Sequence, residues 1–233
     1  MIYQHRIVIA RNGKLEKRHA AFQANALDAL DSAGSVLVGA WEIWVGQEAG
    51  SAVWQLRQFD SMAAWAEHQD RVRASSSFTE STNRNLYPHL DAVNTSILRL
   101  SEISPPLPQT WPRIDDVRGR ERGYLEQRIM TFRPGTTAEH HAFYKRRLLP
   151  ALEIEGSTLV GLFDTLIGDG TTNSQSLRSV ELRRFRDMRA WQRWHETQES
   201  DPELSKLVNR EWLPHVAQMQ SDLMRPLDYS RIR

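Results

Sequence analysis

The sequence predicts an α+β fold in which two ferredoxin-like βαββαβ units stand in tandem on one chain. Three observations carry that reading. The chain repeats itself, strand and helix periodicities follow one another in the same order in both halves, and a proline-rich stretch separates the halves.

The repetition is found by sliding the chain along itself. A shift of 122 places Arg6-Ile7 on Arg128-Ile129, Gly13 on Gly135, Gly34 on Gly156, Val38-Gly39 on Val160-Gly161 and Gly46 on Gly168. Beyond that glycine the shift becomes 126, so that Leu56-Arg57 falls on Leu182-Arg183, Phe59 on Phe185, Met62 on Met188, Trp65 on Trp191 and "NRNLYPH" (83–89) on "NREWLPH" (209–215). One change of register, in "GDGTTNS" at Gly168 to Ser174, is what a lengthened hairpin produces. Pro105, Pro106, Pro108 and Pro112 are too dense for a helix or central strand, and they mark an extended linker over 102–122 between repeats at 1–101 and 123–233.

Each element of the first copy has its own signal. "YQHRIVIA" (Tyr3 to Ala10) is rich in strand formers, and "KLEKRHAAFQANALDALDSAG" carries Phe22, Ala26, Leu27 and Leu30 at helical spacing until Gly34 stops it. "SVLVGAWEIWVG" and "AVWQLRQF" are strand-like runs joined by a short hairpin over "QEAGS". A second helix begins after Ser61, an N-cap candidate, and "NTSILRLSE" closes the unit as a strand. In this order both helices cover one sheet face, and the open face of one copy can meet that of the other to close a barrel. Pro88 and Pro214 read as punctuation that ends the helical segment before the fourth strand, with the following histidine placed to satisfy orphan carbonyls.

The tandem copies, the Gln4-x-Arg6 and Glu126-x-Arg128 patterns, the Val-Gly pairs, the F-x-x-M-x-A-W pattern at Phe59 to Trp65 and Phe185 to Trp191, and the Pro-His pairs together resemble the NIPSNAP family. The resemblance implies a dimeric α/β-barrel fold. That superfamily holds cofactor-free monooxygenases, lactone isomerases, haem enzymes and many members without an assigned activity, and the resemblance brings no agreed catalytic residues. Fold alone does not specify function.

Composition narrows the classes. A net charge of +1 gives no clustered basic excess for nucleic acid, and no apolar run approaches the ~18–20 residues of a membrane helix. No cysteine is present, which excludes thiolate chemistry and fits a reducing compartment, while the N-terminus lacks a signal pattern; cytoplasmic location is the expectation. His68, His140, His141 and His195 do not form a metal spacing, although His195 and Glu199 are four apart; no metal and no cofactor are expected, and self-association is compatible with the sequence.

Side chains two apart on a strand share a face. Gln4 and Arg6, Gln55 and Arg57, Glu126 and Arg128, and Glu181 and Arg183 therefore form four matched pairs. With the first and third strands antiparallel neighbours, Glu126 opposes Arg183 and Arg128 opposes Glu181, and the four arginines are expected to converge on the barrel interior. One reading is a buried ladder that fixes the sheets. The other is ligand binding, because the first copy has only Gln4 and Gln55 where the second has carboxylates, leaving Arg6 and Arg57 without local acidic partners. The eight tryptophans read first as core. The functional expectation is a small organic molecule, anionic or strongly polar, bound in the barrel cavity through Gln4, Gln55, Arg6, Arg57, Arg128 and Arg183. One alternative is cofactor-independent oxygenation or isomerisation, with the arginines as anion stabilisers, His89 as base and Tyr87 beside it. The other is a non-catalytic protein-interaction scaffold.

Overall fold

The computed structural model describes residues 1–117, 122–168 and 178–233. The lengthened hairpin expected at Gly168 to Ser174 lies, apart from its first glycine, outside them. Among the described residues β1 (Ile2–Ala10), β2 (Val36–Val45), β3 (Ala52–Phe59), β4 (Leu90–Leu100), β5 (Tyr124–Phe132), β6 (Ser157–Ile167), β7 (Arg178–Phe185) and β8 (Val216–Pro226) form a closed barrel in the order β1-β3-β2-β8-β5-β7-β6-β4. Each half has the split βαβ order, and two seams, β2 with β8 and β4 with β6, close the ring. Closure removes the edges an isolated four-stranded sheet would expose.

The barrel is filled from both halves. Tyr3, Trp41, Trp54, Leu56, Leu125, Ile129, Phe163, Leu182 and Met224 make one buried cluster, with the Trp41 and Trp54 rings 5.0 Å apart. Gly39 and Gly161 sit at matching bulges, and a Cβ on Gly39 would lie 2.1 Å from the Trp41 indole, as one on Gly161 would lie 2.9 Å from the Phe163 ring. The Val-Gly pairs are thus places where a large aromatic from the same strand folds across the backbone.

Outside the barrel, α1 (Leu15–Asn25), α2 (Leu27–Ser32), α3 (Met62–Ala74) and α4 (Ser76–Asn85) cover the first half, where the sequence reads two continuous helices. Ser61 caps α3, its side chain accepting from the Ala64 N–H, and Ser75 restarts the chain as the cap of α4. Between the halves α5 (Ile114–Val117) interrupts the segment expected to be plain extended linker, and Trp111 donates from Nε1 to Gln58 Oε1 at 2.6 Å. α6 (Thr137–Phe143), α7 (Leu149–Ala151), α8 (Met188–Ser200) and α9 (Pro202–Lys206) cover the second half, with π-helical turns over Tyr144–Leu148 and Leu207–Trp212. No described helix is long and apolar enough to cross a membrane.

The repeated heptads end as 3₁₀ turns, Tyr87–His89 and Leu213–His215, with proline in the first turn. Punctuation is correct, but it works through the main chain. The His89 carbonyl accepts the Arg11 N–H at 2.9 Å and the His215 carbonyl accepts that of Arg133 at 3.0 Å. The halves also exchange tails. Past β8, Leu227 and Ile232 donate to the Ala40 and Val38 carbonyls of β2, while past β4 Ser101 donates to the Leu162 carbonyl of β6. Each tail therefore walls the other half's helix layer.

Candidate functional site

The register expected of the arginine ladder is present. Gln4 pairs with Arg57 and Arg6 with Gln55 between β1 and β3; Glu126 pairs with Arg183 and Arg128 with Glu181 between β5 and β7. Its direction is a correction. These side chains point out of the barrel and under the helices, because Tyr3, Trp54, Leu56, Leu125, Val180 and Leu182, at the alternate positions, fill the interior. The four arginines therefore form two separate clusters, one beneath each helix layer.

In the second half the cluster is self-contained. The Glu126 carboxylate accepts from Arg128 Nε at 2.8 Å, Trp191 Nε1 at 2.6 Å, His195 Nε2 at 2.8 Å and Ser221 Oγ at 2.8 Å. His195 thus engages Glu126 rather than Glu199. Burial works to raise the Glu126 carboxyl, but Arg128 and His195 outweigh it and hold it down at about 2. Glu181 accepts from Tyr144 Oη at 2.7 Å and Arg183 Nε at 3.1 Å. The close ion pairs run along each strand, between residues two apart, rather than across the ladder. Trp194 fills the remaining space, its ring centroid 4.3 Å from the Arg128 guanidinium carbon and 5.2 Å from that of Arg183. Here the structural reading of the ladder holds.

The first half differs at the matching positions. A cavity of about 260 Å³ lies between β1, β3 and the helices, lined by the polar Gln4, Arg6, Arg18, Gln55, Arg57 and Trp65 and by the apolar Phe22, Leu30, Phe78 and Leu86 among others. By the same offsets His68 stands where the second half has Trp194, Ala26 where it has Leu148, and Leu86 where it has Trp212. Smaller side chains at three positions leave the space that the second half fills.

The charge pattern also differs. Arg57 is not without an acidic partner, as the sequence suggested: its Nη1 donates to Asp31 Oδ1 at 2.9 Å and to Ser35 Oγ at 2.6 Å, because α2 ends directly over it. Arg6 fits the expectation. Among the described residues no carboxylate pairs with it, and burial, followed by the nearby Arg57 and Arg18, lowers it to about 10. Among the described residues, buried Arg6 Nε, Arg57 Nε and Nη2, Arg18 Nε, Trp65 Nε1 and both amide atoms of Gln55 have no hydrogen-bond partner. Unpaired buried polar atoms in such number are unusual in a folded interior.

Sequence reasoning missed Arg18 and Tyr229. Arg18 sits on α1, its Nη1 donating to Tyr229 Oη at 3.0 Å, and Tyr229 arrives on the C-terminal tail. Burial, then Arg18, holds the neighbouring His19 down at about 4, so Arg18 carries the charge of this corner. Of the proposed acid–base pair, Tyr87 lies half exposed at the cavity mouth, whereas His89 is not among the lining residues. Among the described residues no three His, Asp or Glu side chains converge as a metal site would require.

Comparison with known proteins agrees with the fold. The NIPSNAP family model matches residues 125–231, within the second repeat. Over the whole chain the fold is similar to an "anthrone oxidase-like protein" (TM-score 0.60, 12% identity, 97% of this chain and 91% of that one). It is also similar to a "putative monooxygenase" of Lactobacillus acidophilus NCFM (TM-score 0.58, 10% identity, 96% and 93%). A NIPSNAP domain protein of Burkholderia xenovorans aligns over 46% of this chain and 100% of its own, at 20% identity and a TM-score of 0.40. No curated protein matches the sequence.

Proposed function

We propose that this chain, whose second repeat matches the NIPSNAP family, binds a small organic anion in the helix-covered cavity of its first repeat. The observation that supports the reading most is Arg6, whose guanidinium pairs with no carboxylate and whose Nε, like Trp65 Nε1, has no acceptor among the described residues, in a cavity also lined by Phe22, Leu30, Phe78 and Leu86. A buried guanidinium without a counter-charge is costly, and an anion that satisfies it gains charge-assisted hydrogen bonds. The volume falls just under the ~300–1,000 Å³ of pockets for drug-sized ligands, which suits a small metabolite. The second repeat, its ladder closed by its own carboxylates, has the structural role and the first has the binding role.

The test is a thermal-shift screen of organic anions and neutral metabolites against the wild type and Arg6→Gln. A ligand that binds only the native state raises the melting temperature by mass action. Anions that stabilise the wild type and fail to stabilise the variant support the reading, whereas equal shifts in both proteins refute it.

A further inference from the structure

The two halves are internal references for each other, and their differences identify the ligand's chemistry. This inference rests on the binding role proposed for the first repeat. Around Glu126 the donors are Arg128, Trp191, His195 and Ser221. By the repeat offsets their counterparts are Arg6, Trp65, Gln69 and Thr95, all of which line the cavity. The donor cradle is therefore kept at the arginine and tryptophan and remains polar at the other two positions, but the acceptor it surrounds has become Gln4.

Gln4 has the length of a glutamate, yet it does not take over the acceptor role. Among the described residues Trp65 Nε1 and Arg6 Nε have no partner, whereas Trp191 Nε1 and Arg128 Nε both reach Glu126. An indole N–H and a guanidinium Nε–H that converge on one carboxylate in the second half are left without an acceptor in the first, on two residues that line the cavity. Phe22, Phe78 and Leu86, which also line the cavity, would receive an apolar body.

We infer that the ligand of the first repeat is a small monocarboxylic acid with an apolar body, whose carboxylate makes with Arg6 and Trp65 the bonds that Glu126 makes with Arg128 and Trp191. A carboxylate is favoured over other anions because the second half shows which acceptor this donor set is built around. There each carboxylate oxygen accepts from two donors, Arg128 Nε and Ser221 Oγ on one and Trp191 Nε1 and His195 Nε2 on the other, the geometry of a planar two-oxygen group.

The experiment titrates the full chain with hexanoate, octanoate and phenylacetate, with hexanamide and phenylacetamide as uncharged counterparts and with inorganic phosphate. Binding is read by calorimetry. The acids are expected to bind and the amides to bind about tenfold or more weakly, the scale of a lost charge-assisted contact. Trp65→Phe, which keeps an aromatic ring at the position and removes the indole N–H, is expected to weaken the acids by about tenfold and leave the amides within about twofold. Gln4→Glu supplies the missing carboxylate from the chain itself, so it is expected to raise the melting temperature of the unliganded protein and abolish acid binding. Amides that bind as tightly as acids, or phosphate that binds as tightly as either, would overturn the carboxylate assignment while leaving a cavity that binds. A complete lack of organic binding would overturn the binding role together with it. If Gln4→Glu does not fold, Trp65→Phe decides.

Discussion

Replacing Glu126 by glutamine would give the second repeat the neutral side chain that Gln4 gives the first. Four donors converge on that carboxylate, and Arg128 beside it is buried. Removing one member of a buried ion pair strands the other, a loss of roughly 3–5 kcal/mol. The titration gives a second route to the magnitude. The carboxyl lies at about 2 in the folded protein, where burial is outweighed by Arg128 and His195, against an ordinary 4.5. At ~1.36 kcal/mol per unit, that difference amounts to about 3 kcal/mol. Because the folded value is depressed, the stabilisation is full above about pH 4.5 and is lost as pH falls toward 2. Urea unfolding of wild type and Glu126→Gln should therefore differ by about 3–5 kcal/mol at pH 7, and the gap should narrow by about 2 kcal/mol at pH 3. A difference below about 1 kcal/mol at pH 7, or a gap that does not close with acid, would refute the self-contained second site.

Other perturbations follow from the same geometry. His19 and His140, held at about 4 and about 3 chiefly by burial, stay neutral when folded and protonate near 6.5 when unfolded. Stability is therefore full above pH 6.5 and falls below it, by about 2 kcal/mol per histidine at pH 5, which denaturant titration of His140→Gln against wild type would show. Gly39→Ala drives a methyl into the Trp41 indole and should cost about 1–3 kcal/mol by thermal unfolding, whereas Gly13→Ala, whose Cβ meets nothing, should show only the mild strain of its positive φ. His89→Ala should leave any ligand's affinity within about twofold, because the ring does not line the cavity; a tenfold loss would return His89 to the site.

The architecture was legible because duplication supplies its own alignment: the offsets of 122 and 126 gave the same element order twice, and the antiparallel neighbourhood of first and third strands in that order set Glu126 against Arg183 and Arg128 against Glu181. The face those residues occupy was not legible. Alternation reveals an inside when one side of a strand is polar and exposed, but all eight positions of β3 are buried, one side by the barrel core and the other by helices. Asp31 escaped notice because an acidic residue near a helix end ordinarily faces solvent, and only the placement of α2 over Arg57 brings it in. Tyr229 could not be found by local pattern, since its contact with Arg18 spans 211 positions and depends on the exchanged tails. One signal did stand in the sequence. Aligning the helices position by position would have set His68 against Trp194 and Ala26 against Leu148, marking the first half as the one with space.

The central claim is that the cradle around Arg6 and Trp65 is open to a carboxylate, while its twin around Arg128 and Trp191 is occupied by Glu126. Indole N–H resonances of nitrogen-15-labelled protein, followed during titration with hexanoate, test it directly. Each tryptophan gives its own indole signal, assigned by single Trp→Phe variants. The account predicts a saturable downfield shift of the Trp65 Nε1–H, as it gains an acceptor, with the Trp191 signal unmoved. Movement of Trp191 instead, or saturation with both signals fixed, would contradict it.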